Sequence, residues 1–146
     1  MRATSDMTLK LTAPTGLLPY RDWVRKELLD IARKAMVSMQ SSGSSHLVYV
    51  TFVPDYPGVI VPECVREDYP RSATIFLRIG RKERVSIDLR HDALTAEVIF
   101  KGGQPSTITI PFKAMTVFLD RQRNVKIDLG QPPQVKRGNV IPLRKW

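Results

Sequence analysis

Few residues in this chain have the type and spacing to do chemistry. Cys64 is its single thiol, and as a nucleophile it needs a lowered pKa or a base beside it. It lies in PECVRED, among acids that raise a thiol pKa, with no histidine near it in sequence. A packed thiol is the simpler reading, with a Cys64 hydrolase as the alternative. His46 opens an apolar run and His91 sits in RHDAL, so both have ordinary structural roles open to them. Glu63, Glu67 and Asp68 are the densest carboxylates, but they read as a helix start or a solvent face before they read as an acid/base pair. Gly102 and Gly103 match neither a dinucleotide nor a Walker spacing, so they mark a turn. One cysteine and two distant histidines offer no metal site. The chain is expected to be no enzyme and to need no cofactor.

A length of 146 residues fits one domain with an appendage, and 42% hydrophobic content fills a core of that size. The start, MRATSDMTLKLTAP, has no apolar signal region, and no run of about 18 apolar residues follows. A reducing, cytoplasmic setting without a membrane span is therefore expected. The net charge of +9 raises nucleic acid as a partner. Residues 1–120 hold 16 Lys and Arg against 13 Asp and Glu, a net +3, whereas residues 121–146 hold 7 against 1, a net +6. Because the excess sits at the end and the body is nearly balanced, nucleic acid is not the expected partner. The local cluster Arg78, Arg81, Lys82 and Arg84 is interrupted by Glu83 and reads as a solvated strand-turn-strand rim.

The elements that must position any site follow from periodicity. Residues 1–16 are polar and read as a flexible leader. From 19 to 40, Trp23, Val24, Leu28, Ile31, Ala32, Ala35 and Met39 recur at helical spacing, and SSGSS at 41–45 ends that helix. Thereafter the pattern is β. His46–Val53, Ala73–Ile79, Glu83–Leu89, Ala96–Lys101 and Thr107–Ile110 read as strands, the last two flanking a Gly-Gly-Gln-Pro turn. Pro111 suits the first turn of a short helix, PFKAMTVFLD, and Val125–Leu129 reads as a late edge strand. The fold class is thus mainly β with an N-terminal helix, in a small bent sheet or partial barrel over 17–129.

After Leu129 the character changes. Residues 130–146 read as a mobile basic tail, closed by VIPLRKW. Those last residues either pack back on the domain or form a short docking motif.

Three stretches together resemble the ClpXP adaptor family of stringent starvation protein B, SspB. HLVYVTFVPDYPGVIVPECVREDYP resembles the family's first strand and PGV turn, and is closer to the alphaproteobacterial-type branch. ATIFLRIG resembles the second strand, and EVIFKGGQPSTITIPFKAMTVFLD resembles the strand, small-residue turn and "IPF" that follow. The resemblance implies an Sm-like bent β-sheet that grips ssrA-type degradation tags and delivers tagged proteins to ClpXP. Carried over onto this sequence, the tag groove is expected at Phe52, Val53, Pro57, Val59, Phe100, Lys101, Gly102 and Gly103. Family members often have an arginine and then an aromatic before Gly-Gly, whereas here Phe100 precedes Lys101. Exchanging neighbours on a strand exchanges faces.

The ending VIPLRKW resembles the family's terminal peptide, which docks on the zinc-binding N-terminal domain of ClpX. Val140, Ile141 and Leu143 are expected to fill an apolar cleft there, with Arg144 and Lys145 at its acidic rim. The resemblance also implies a homodimer through the N-terminal helix, with Leu29 and Met36 on the shared strip while Trp23 and Val24 face the sheet; the alternative is that all four pack on their own subunit. An Sm-like RNA-binding protein remains the alternative function, prompted by the fold and the basic excess.

Overall fold

The computed structural model describes residues 7–10, 18–88, 90–99, 103 and 105–133. Strand β1 (Met7–Lys10) is followed by helix α1 (Tyr20–Gln40), strand β2 (His46–Phe52), a short helix α2 (Glu63–Asp68) and strand β3 (Ala73–Ile79). Strands β4 (Val85–Asp88), β5 (Ala93–Ile99), β6 (Pro105–Pro111), β7 (Met115–Asp120) and β8 (Val125–Asp128) complete it. The protein is mainly β, as the alternation of its apolar residues requires.

The strands form two sheets, ordered β1-β8-β7-β2-β3 and β4-β5-β6. They do not close on one another, so the expected partial barrel is not what the pairing makes. Instead both sheets pour apolar side chains into one core. Val48, Val50, Phe52, Ile75, Leu77, Phe118 and Ile127 come from the larger sheet, and Val85, Leu94, Ala96, Ile108 and Ile110 from the smaller. Helix α1 lies against β3, β4 and β8, and so spans both sheets. Its inward stripe of Leu28, Leu29, Ala32, Met36 and Met39 follows the i, i+3, i+4 rule.

Arg25 stands on that same inward stripe, 6% exposed. Its guanidinium donates to the carbonyl oxygens of Leu129 (2.9 Å), Gly130 (3.3 Å), Lys113 (2.8 Å) and Met115 (3.0 Å). Burial lowers its pKa from the ordinary arginine value, and the negative ends of four peptide dipoles replace the water it has lost. One side chain thereby ties α1 to the turn before β7 and to the chain leaving β8.

Four local readings of the sequence are corrected. Met7–Lys10, placed above in a leader, is a strand that pairs in parallel with β8 (Leu9 opposite Ile127). Consequently β8 is not an edge strand. The expected helix PFKAMTVFLD is one 3₁₀ turn, Phe112–Ala114, followed by β7. Proline starts the turn well enough, but Thr116, Val117 and Phe118 favour a strand, and β7 pairs with β2 on one side and β8 on the other. Trp23 does not face the sheet; it is half exposed.

The PGV turn has a steric reason for its glycine. Gly58 has φ +94, and a Cβ there would stand 2.9 Å from Pro111 Cγ. Around it, Ile60 exchanges two backbone bonds with Thr109 of β6, each 2.9 Å long, and joins the loop after β2 to the smaller sheet.

Replacing Arg25 by methionine leaves four carbonyls without this donor, those of Leu129 and Met115 buried and those of Gly130 and Lys113 partly so. Arg25→Met is expected to lower stability by about 2–4 kcal/mol, measured as a shift in the urea midpoint. Arg25→Lys loses most of the same amount, because one ammonium cannot span four oxygens.

Candidate peptide-binding groove

β3 pairs with β2 alone, and β4 pairs with β5 alone. Two strand edges therefore meet across a gap, each with peptide groups that no neighbouring strand satisfies. The gap is a cleft of about 660 Å³ lined by Thr74–Arg78 of β3, by Glu83, Arg84 and Val85, and by Glu97, Val98 and Ile99 of β5. Its more exposed apolar parts are Phe76, Val98 and Ile99, with Ile99 70% exposed, and Ile75, Leu77 and Val85 lie buried behind them. Its charges are two and two. Arg84 pairs with Glu97 at 3.2 Å, and Glu83 accepts a bond from the Ser45 hydroxyl. Arg78 has no carboxylate partner among the described residues.

A second cavity of about 560 Å³ is lined by Val65, Tyr69, Ser72, Ala73, Thr74 and Ile75. It shares Thr74 and Ile75 with the first. Together the two are lined by residues 73–78 of β3. Such an arrangement suits an extended peptide, whose main chain bonds to a strand edge while alternate side chains drop into pockets.

The expected groove residues fare unevenly. Phe52 is fully buried and Val59 is 4% exposed, so both belong to the core and neither is open to a ligand. Alternation along β2 puts Phe52 on the same inward side as Val48 and Val50. Val53 is half-buried, with its N–H donated to Ala114 O at 3.0 Å, and Pro57 is exposed in the PGV turn. Neither lines the cleft. Gly103 is exposed in the turn after β5, with φ +76 and open space around it, close in sequence to Ile99 at the cleft's end. Phe100, Lys101 and Gly102 lie outside the described residues, as do Val140, Ile141, Leu143, Arg144 and Lys145.

The strip expected to meet a partner helix is also corrected. Leu29 is 8% exposed and Met36 fully buried, both inside their own subunit's core. The apolar residues that α1 and its approach leave outside are Leu18, Tyr20, Trp23 and Ile31. Tyr20 and Trp23 pack edge to face, ring centroids 5.4 Å apart.

Phe76, Arg78, Arg84, Glu97, Val98 and Ile99 were missed as site residues. One signal was available: on the alternating strand Ala73–Ile79, Phe76 falls on the polar side, between Thr74 and Arg78.

The residues with chemistry of their own have structural partners. Cys64 is half-buried against the core. Arg66 reaches Val59 O at 2.8 Å and lies near Asp55 and Glu63. His46 Nδ1 accepts from Arg123, which also donates to buried Asp120 at 3.0 Å, and His91 Nδ1 lies 2.6 Å from Asp88. Among the described residues no three His, Cys, Asp or Glu are placed to hold a metal, and no helix is long and apolar enough to cross a membrane.

A groove between strand edges on a mainly β domain has the shape an extended peptide needs. Residues 22–139 match the family model of stringent starvation protein B, and the chain belongs to that family, SspB. This is a family of protease adaptors, not of enzymes. A comparison with curated proteins gives no match.

Proposed function

We propose that this protein binds ssrA-type degradation tags in the groove along β3 and delivers the tagged proteins to the AAA+ protease ClpXP. The observation that carries the reading is the pair of unpaired strand edges, β3 and β4, facing each other across the 660 Å³ cleft in a chain of the SspB family. The tag lies extended along β3. Phe76, Val98 and Ile99 supply apolar contact, and Arg78, without a carboxylate partner among the described residues, offers its charge to an acidic tag residue. Phe100, Lys101, Gly102 and Gly103 follow Ile99 in the sequence and are proposed as further tag contacts.

Delivery needs a second contact. The tail over 130–146 starts where Arg25 holds Leu129 and Gly130. Its end, with Val140, Ile141, Leu143, Arg144 and Lys145, docks on the zinc-binding N-terminal domain of ClpX. Two weak contacts joined by a tether raise the local concentration of the tag at the unfoldase without any chemistry by the adaptor. The working unit is a cytoplasmic homodimer joined through the outward face of α1. Tyr20, Trp23 and Ile31 take the place there of the buried Leu29 and Met36. Two small sheets bent around one core also suit an Sm-like fold.

Three measurements test this. Val98→Lys puts a charge on the cleft wall and is expected to raise the Kd for a fluorescent ssrA peptide at least about tenfold, with an unchanged circular dichroism spectrum. Removal of residues 130–146 leaves that Kd unchanged and abolishes stimulation of ClpXP; undiminished delivery refutes the tail's role. In sedimentation, Trp23→Glu combined with Ile31→Glu converts dimer to monomer while each subunit stays folded.

A further inference from the structure

An outward sheet face is ordinarily polar, but one row across that of the five-stranded sheet is largely apolar. Phe76 of β3, Tyr49 of β2, Leu119 of β7 and Lys126 of β8 stand in register across it. Phe76 is 44% exposed, and Tyr49 and Leu119 are half-buried. The rings of Tyr49 and Phe76 lie 5.0 Å apart, inclined by 49°. The guanidinium carbon of Arg121 stands 5.9 Å from the centre of the Tyr49 ring. Arg78, opposite Leu47, borders the same row. Arg78, Arg121 and Lys126 have no carboxylate partner among the described residues, and the nearby Asp128 is engaged with Gly130 N–H at 3.1 Å.

Two aromatic side chains on neighbouring strands, rimmed by three cations with no carboxylate partner among the described residues, are what unpaired bases and their phosphates require. Bases stack on the rings and on the guanidinium plane, and the cations neutralise the backbone. The near balance of charge over residues 1–120 averages over all faces and hides this one. The geometry points to a binding surface for single-stranded nucleic acid on the outer face of the five-stranded sheet, read by stacking and charge with little regard to sequence. An acidic polypeptide would satisfy the cations but leave the rings unused. The surface is separate from tag binding except at Phe76 and Arg78, which also line the cleft, so the variants below avoid both.

The test is fluorescence anisotropy of the full chain with a labelled oligouridylate. Saturable binding is expected at about 50 mM salt, falling roughly 20-fold by about 200 mM as three phosphate contacts are screened. Tyr49→Ala weakens binding about fivefold or more, and Tyr49→Trp restores it. Arg121→Glu and Lys126→Glu, both on the surface, weaken binding and flatten the salt dependence even if Tyr49→Ala proves unstable. Three results overturn the proposal. One is no binding at the lower salt. Another is unchanged binding by all the face variants, which assigns the RNA to the tail's cations. The third is competition by polyglutamate as effective as by unlabelled RNA, which makes the partner an acidic polypeptide.

Discussion

One guanidinium holds the architecture together. Arg25 points inward from α1 and bonds main-chain oxygens on two separate segments, the turn before β7 and the exit from β8. A buried cation is costly unless its donors are used, and here at least four bonds use them. The helix is thereby fixed over the seam between two sheets that share a core but no ladder. Arg33 adds a second tie, meeting Asp92 before β5 and standing 5.8 Å over the Phe112 ring. With the helix fixed, β3 and β4 are held apart as neighbours that never pair.

Much of this was legible in the residues and part was not. Strict alternation announced β3 to the residue, and helical spacing with the SSGSS stop gave α1 to within one residue at its start. Local pattern failed where distant pairing decides the outcome. PFKAMTVFLD opens like a helix, but its β-branched and aromatic residues are claimed by β2 and β8. Met7–Lys10 carries too few apolar residues to declare itself without its parallel partner. Arg25 was not legible at all, because spacing does not say that a cation can be inward when carbonyls await it.

The same limit governs the site. Periodicity found two apolar strips on α1 but could not say which one faces the sheet. Trp23, the larger group, is outside, while Met36 is sealed within. For the groove, the short blocks that carry the family likeness are mostly core and turn. Gly58 is fixed by Pro111, and Phe52 by the alternation of β2. The cleft is built from strand edges, and which strands end a sheet depends on topology that no local pattern encodes.

Exposed edges are a hazard for any β protein, and this one treats its edges differently. The free side of β6 is blunted by prolines at both ends and by the bridge to Ile60. β3 and β4 are left bare, but they confront one another across a slot. A strand laid in that slot would be flanked on both sides, with neither of its edges open to another copy. Occupancy would therefore terminate assembly at this slot instead of seeding it, the difference between a receptor groove and the start of a fibril.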